Sequence, residues 1–186
     1  MKEIFFITSN KGKVQEATEK LRSLGFLVVQ KDLGYPEVQA DSLEEVAIWG
    51  VSHVQKRFDS PFILEDAGLF IDALQGFPGV YSKYVFFTIG LKGILQLLEG
   101  VEKREAVFRS VYAYCEPKKK PLIMIGECKG IISTRKQGTR GFGYDPIFIP
   151  DGAQKTFGDM TVGEKNRFSH RGKALEKLVA VLRDSH

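Results

Sequence analysis

Glu105-Ala106-Val107-Phe108-Arg109-Ser110-Val111-Tyr112-Ala113-Tyr114-Cys115-Glu116, then Pro117-Lys118-Lys119-Lys120-Pro121, then Leu122-Ile123-Met124-Ile125-Gly126-Glu127-Cys128-Lys129-Gly130-Ile131-Ile132-Ser133, is the stretch that decides the fold. Its two outer runs are rich in β-formers and alternate imperfectly between apolar and polar. The charged, proline-bounded segment between them reads as a solvated turn, so the whole predicts a long β-hairpin. Upstream, strands and helices alternate: strand 3–8, helix 13–24, strand 26–31, helix 43–58 and strand 62–66. A Gly- and Pro-punctuated stretch follows, then one or two helices between Tyr81 and Glu99. Val14, Ala17, Leu21 and Leu24 recur at helical spacing before Gly25, whose missing Cβ suits a left-handed stop. Ser42-Leu43-Glu44-Glu45 reads as a capping box. Ala174, Leu175, Leu178, Val179 and Leu182 mark one face of a closing helix from about Ser169 to Arg183. Helices and strands in alternation, a long hairpin and a closing helix predict an α/β fold with a mixed β-sheet, its long hairpin strands flanked by helices.

The chain has 186 residues, 43% of them hydrophobic, enough to bury a core within one domain spanning residues 1–186, elongated and two-lobed. Glu3-Ile4-Phe5-Phe6-Ile7 is too short and wrongly flanked for a signal peptide, and no apolar run approaches the roughly 20 residues that span a bilayer. The expectation is a soluble, cytoplasmic protein with no membrane partner. Cys115 and Cys128 fit no metal-ligand spacing; the simplest hairpin register sets Cys115 opposite a residue near Ile123, so both are read as buried thiols. A net charge of +4, from 27 basic and 23 acidic residues, suits an anionic ligand. It is mild for a module that holds a polyanion.

Four polar stretches interrupt this ordinary globular pattern. Thr8-Ser9-Asn10-Lys11-Gly12-Lys13 sits where a strand hands over to a helix, and unpaired N–H groups at such a helix start favour an anion. The same residues serve as a capping turn in many proteins, and the spacing is not that of a P-loop. Glu65 and Asp66 close the apolar run Phe62-Ile63-Leu64, an expensive place for charge unless something pairs with it. Successive strand side chains face opposite ways, so one carboxylate can ligate a hard cation or activate water while the other is held structurally; an N-cap for a turn at Gly68 is the alternative. Mg²⁺ takes one or two carboxylates plus phosphate oxygens, and Glu37 is a further ligand candidate. Gly141-Phe142-Gly143-Tyr144-Asp145-Pro146 gives an aromatic ring a flexible backbone for stacking on a base, or else a structural turn around a buried Phe, with Asp145 extended beside Pro146. Ser169-His170-Arg171 opens the last helix near Lys165, Arg167 and Lys173, a basic start that opposes the helix dipole and so points to a ligand, with a merely solvated face as the alternative. Together the four describe a nucleotide site in a central cleft.

At these residues the chain resembles the inosine triphosphate pyrophosphatase family. The resemblance rests on Thr8-x-Asn10-x-x-Lys13, Glu65-Asp66-x-Gly68-Leu69 and Gly79-Val80-Tyr81-Ser82. It continues through Phe142-Gly143-Tyr144-Asp145-Pro146-Ile147-Phe148 and Glu164-Lys165-Asn166-x-x-Ser169-His170-Arg171-x-Lys173-Ala174, in order over residues 3 to about 183. It implies Mg²⁺-dependent hydrolysis of deaminated purine triphosphates (ITP, dITP, XTP) to the monophosphate and pyrophosphate, by a homodimer. It also implies that Thr8, Ser9, Asn10, Lys11, Gly12 and Lys13 hold the triphosphate, with Lys83 reaching it. Asp66 would be the essential carboxylate and a Mg²⁺ ligand, with Glu37 its companion, and residue types alone do not separate base from ligand. Phe142 would stack on the base, with Gly143, Tyr144, Asp145, Lys165, His170 and Arg171 around it. Donor-only groups such as Arg171 and Lys165 suit the O6 of hypoxanthine and leave the amino group of adenine unsatisfied.

The chain departs from the family pattern at Ala67, where many members carry Ser beside the substrate. It also has no Lys or Arg between Leu43 and Ser52, where some relatives place a phosphate-reaching lysine; Trp49 stands near that position. Tyr84-Val85-Phe86-Phe87 offers either a dimer contact or core. A nucleic-acid module would use the basic and aromatic residues without needing Glu65-Asp66, so no nucleic-acid partner is expected. A broad modified-nucleotide pyrophosphatase and a nucleotide sensor that does not hydrolyse remain as alternatives.

Overall fold

Apolar alternation in five of the strands builds the sheet of this computed structural model, which describes residues 2–35 and 38–184. The order of elements is β1 (Lys2–Ile7), α1 (Lys11–Arg22), β2 (Phe26–Lys31), α2 (Leu43–Val54), β3 (Phe62–Ile71), β4 (Pro78–Gly79), α3 (Ser82–Thr88) and α4 (Gly90–Leu97). Then come β5 (Glu105–Cys115), β6 (Leu122–Ile132), β7 (Phe148–Pro150), α5 (Val162–Phe168) and α6 (His170–Asp184). The strands form one sheet in the order β2-β1-β3-β5-β6-β7, with β4 on β3. β1 runs parallel to β2 and β3, and the other pairings are antiparallel, so the sheet is mixed as expected. Glu37 lies outside the described residues.

Several sequence expectations change. β3 does not stop at Asp66: all ten of its residues pair with β5, from Phe62 opposite Cys115 to Ile71 opposite Ala106. Gly68 therefore makes no turn; it stays in the strand because a Cβ there would lie 2.4 Å from the carbonyl oxygen of Gly79 in β4. The hairpin register is also displaced. Tyr114 pairs with Leu122 and Ala113 with Ile123, because the ladder ends before both prolines of the turn. Cys128 pairs with Phe108, and the two cysteines are free and buried, as expected. Helix α2 ends at Val54, earlier than expected, and α1 begins at Lys11, one residue after its cap Asn10.

Alternation along the strands sorts the core. On one face, Ile63, Tyr112, Tyr114 and Met124 pack with α1 and α6 through Ala17, Leu21, Leu175 and Leu178. Farther along that face, Leu69, Ile71, Phe108 and Ile132 pack with Val85, Ile94, Phe148 and Phe157. The opposite face carries Leu64, Val111 and Ala113 against α2. Between the two clusters of the first face the apolar alternation is broken, by the polar Glu65 on β3 and Ser110 on β5, with the small Ala67 beside them. That band is where the site lies. Helix α6 is seated over it by Gly126 of β6, where a Cβ would meet the carbonyl oxygen of His170 at 2.0 Å.

Candidate active site

β1 ends at Ile7 while its parallel neighbour β3 continues, and from β1 the chain crosses to β2 on one side and later to β3 on the other. Open α/β sheets bind ligands at such a switch point, beyond the carboxyl ends of the strands. The turn Thr8–Asn10 leaves the sheet there. Thr8 Oγ1 accepts from Asn10 N at 3.1 Å and Asn10 Oδ1 accepts from Lys13 N at 3.1 Å, which shapes the turn and caps α1. Lys13 reaches β3: its Nζ donates to the carbonyl oxygen of Glu65 at 2.9 Å and forms an ion pair with Glu65 Oε2 at 2.7 Å.

From Glu65 a buried chain of alternating charge crosses the band. Glu65 Oε1 accepts from Arg171 Nε at 2.9 Å and from Ser110 Oγ at 2.7 Å. Arg171 Nη1 lies 3.4 Å from Glu16 Oε2. Glu16 Oε1 accepts from Lys165 Nζ at 2.5 Å, and Lys165 Nζ donates to Asp145 Oδ2 at 2.7 Å. Lys13, Arg171 and Lys165 thus balance Glu65, Glu16 and Asp145, which is what lets so much charge remain in the interior. Burial pushes the Glu65 carboxyl up, but Arg171 and Lys13 outweigh it and hold the group below the usual carboxylate range. Its contribution to stability is therefore present above its unfolded value near 4.5 and is lost as pH falls through the folded value. For Asp145 burial wins over Lys165 and raises its pKa, with Glu16 adding to the rise.

Phe142 closes the arrangement. Its ring faces the cation tips of Arg171 at 4.8 Å and Lys165 at 4.9 Å. The ring packs on Gly12 so tightly that a Cβ there would lie 2.4 Å from Phe142 Cδ1. Gly141 and Gly143 adopt positive φ (73° and 59°), the flexible path expected of two glycines around the aromatic. Gly12→Ala is expected to push the ring away, with KM for the substrate rising about tenfold, since overpacking costs about 1–3 kcal/mol. Steady-state kinetics beside a thermal melt would separate this from general destabilisation.

Gly12, Lys13, Phe142, Asp145, Lys165 and Arg171 are brought together, Asp66 and Lys83 are not part of that network, and several residues play parts that residue type did not suggest. Asp145 is not extended: it opens a 3₁₀ turn with Pro146, and its carboxylate accepts from Phe142 N at 2.8 Å, which fixes the aromatic loop. The Tyr144 side chain is buried and its hydroxyl donates to the Ser82 carbonyl oxygen at 2.8 Å, so it anchors the loop to α3. Ser82 Oγ in turn accepts from Leu69 N at 2.8 Å, setting exposed Lys83 at the start of α3 beside β3. His170 is fully buried, stacked on Phe108 at 4.6 Å, and neither ring nitrogen has a hydrogen-bond partner. Burial, with Arg171 and Lys165 nearby, puts its pKa well below the ordinary value and keeps the imidazole neutral. Lys165, in the last turn of α5, and Arg171, at the start of α6, are met by carboxylates from α1, β3 and the aromatic loop, and both are buried.

By the alternation of β3, Asp66 faces the α2 side, opposite Glu65, and is half-buried. Ala67 stands directly across from Ser110, whose hydroxyl supports Glu65 from the same face. Trp49 stacks on His53 at 5.5 Å and leans on Tyr35. No group of three or more His, Cys, Asp or Glu poised to hold a metal occurs among the described residues. Sequence reasoning missed Glu16 and Ser110. The signal for Glu16 was a carboxylate beside Ala17 on the buried face of α1; for Ser110 it was the polar break in β5.

Several known proteins resemble this chain. The model of the Ham1 family matches residues 4–181. A dITP/XTP pyrophosphatase of Thermococcus kodakarensis is 51% identical over 97% of this chain and 97% of its own length. One from Pyrococcus horikoshii is 53% identical over 94% of this chain and 93% of its own. Among solved structures, a HAM1 protein from Coxiella burnetii superposes with a TM-score of 0.84 at 34% identity, covering 99% of this chain and 100% of that one. The Ham1 protein of Staphylococcus aureus gives 0.83 at 28%, with both chains fully covered.

Proposed function

The chain belongs to the Ham1 family, and from that premise we propose that it hydrolyses deaminated purine nucleoside triphosphates to the monophosphate and pyrophosphate. The observation that carries this reading is the meeting of phosphate turn and aromatic loop: the Phe142 ring rests on Gly12 while Arg171, over the same ring, is tied through Glu65 to Lys13. A triphosphate at the turn puts its base beside that ring.

Thr8 to Lys13 bind the phosphates through the open N–H groups at the start of α1 and through Lys11 and Lys13, with Lys83 approaching from α3. Asp66 is a hard oxygen donor on the face of β3 away from Glu65, whose carboxylate is committed to Lys13 and Arg171. That donor set fits Mg²⁺, which needs only one or two carboxylates when phosphate oxygens and water complete the shell; Glu37 is the proposed companion. Bound there, Mg²⁺ supplies charge stabilisation to the phosphate oxygens. Asp66 orients the water that attacks the α-phosphorus. A P–O bond forms to the water oxygen, the water's proton passes to the Asp66 carboxylate, the bond to the β-phosphate bridge breaks, and pyrophosphate leaves toward the lysines. Run in ¹⁸O-labelled water, the reaction puts label in IMP and none in pyrophosphate; label in pyrophosphate would refute attack at the α-phosphorus.

The base stacks on Phe142, with Lys165 and Arg171 donating toward O6 at its edge. Gly143 and Asp145 shape the loop behind it, Tyr144 anchors that loop, and neutral His170 packs beneath. Arg171→Ala should lower the ratio of kcat/KM for ITP over ATP by about tenfold or more, because a charge-assisted hydrogen bond contributes about 1.5–3 kcal/mol. An unchanged ratio would exclude Arg171 from base choice. We also infer a homodimer, supported by the side-chain faces of Tyr84 and Phe87, which are 68% and 75% exposed.

A further inference from the structure

Glu65 stands between the two halves of the site. Its carboxylate is fully buried and shared, Oε1 with Arg171 and Ser110, Oε2 with Lys13. The partners differ in freedom: the Lys13 side chain is 16% exposed and that of Arg171 7%. Lys13 is therefore the partner able to swing away when phosphate oxygens compete for it. We propose that Glu65 is a positioning residue that couples phosphate occupancy to base recognition: filling the phosphate turn draws Lys13 off Glu65, and the carboxylate then commits to Arg171.

The physical argument is one of sharing. A buried carboxylate between two cations holds each less firmly than it would hold either alone, because each cation offsets part of the field felt by the other. With Lys13 turned to phosphate, the directed bond from Arg171 Nε to Glu65 Oε1 becomes that carboxylate's main ionic contact. The guanidinium is then fixed with its remaining N–H groups beside Phe142. Linkage makes the effect reciprocal, so a base in place also favours phosphate. The proposal rests on the reading of Lys13 as a phosphate group and Arg171 as a base group given above.

Two probes that each fill half of the site test it without turnover. The Kd of inosine is measured by NMR titration with and without saturating Mg²⁺-pyrophosphate, for the unmodified protein, Glu65→Gln and Lys13→Met. Pyrophosphate should tighten inosine binding about fivefold or more in the unmodified protein, within the usual range of coupling between sites. In Glu65→Gln that enhancement should vanish while pyrophosphate itself binds tighter, since its competitor for Lys13 is gone. A merely structural lesion would weaken both ligands. Equal inosine Kd with and without pyrophosphate in the unmodified protein, or an undiminished enhancement in Glu65→Gln, would overturn the proposal. If Glu65→Gln does not fold, Lys13→Met carries the test without pyrophosphate: Glu65 is then left to Arg171, so inosine alone should bind about fivefold tighter than in the unmodified protein, and an unchanged or weaker Kd would overturn the proposal. Failure of the functional reading would appear separately, as no release of pyrophosphate from ITP by the same preparation.

Discussion

Asp66→Asn is expected to lower kcat for ITP by roughly 100- to 10,000-fold, the range seen when a positioned acid or base is removed. The change keeps the size and shape of the side chain and leaves the ten-residue pairing of β3 with β5 intact. What it removes is the negative charge, and with it both a proton acceptor for water and a hard ligand for Mg²⁺. The melting temperature should therefore stay within a few degrees of the parent, and KM should change far less than kcat. Titrating Mg²⁺ into the variant divides the two roles: recovery at high Mg²⁺ marks the ligand role, and a flat response marks the acceptor. Near-normal turnover would remove Asp66 from the mechanism.

The second large effect falls on stability. Lys165 lies buried between Glu16 and Asp145, themselves buried, so Lys165→Met leaves two carboxylates in the interior with their shared cation gone. Breaking a buried pair by removing one partner costs about 3–5 kcal/mol, which for a domain of this size lowers Tm by about 10 °C or more. The pH dependence carries the diagnosis. Burial raises the pKa of Asp145 even with Lys165 present, and without that cation the Asp145 carboxyl should titrate higher still. A carboxyl whose folded pKa is raised binds its proton more tightly when folded, so acidification stabilises the variant relative to its unfolded state. The deficit against the parent should shrink between pH 7 and about 5. A deficit independent of pH would mean that lost packing, not orphaned charge, is the cause.

Much of this molecule was legible in the sequence because local patterns report local structure. The period of Val14, Ala17 and Leu21 gave α1, the β-rich runs about the Pro117–Pro121 turn gave the hairpin, and the order of strands and helices gave the mixed sheet. The length of β3 was not legible, because Gly68 signals a turn when read alone and a strand only once β4 crosses it. The site was legible as a set of residues and not as a network. Lys165 and Arg171 looked like cations awaiting a ligand, since nothing in the local sequence says that Glu16, 149 positions from Lys165, lies against it. Tyr144 and Asp145 looked like ligand groups because a hydroxyl and a carboxylate in a glycine-rich loop carry no mark of pointing inward. Ser110 was hidden for a related reason: a small polar residue in a strand becomes conspicuous only when the Glu65 carboxylate that it supports is in view.

The most direct test of the central claim is the rate of pyrophosphate release from ITP, dITP, XTP, GTP, ATP and CTP, with and without Mg²⁺. The site described here predicts fast, Mg²⁺-dependent release from ITP, dITP and XTP, and slow release from ATP and CTP. Equal rates on ITP and ATP, or none on any triphosphate, would contradict it.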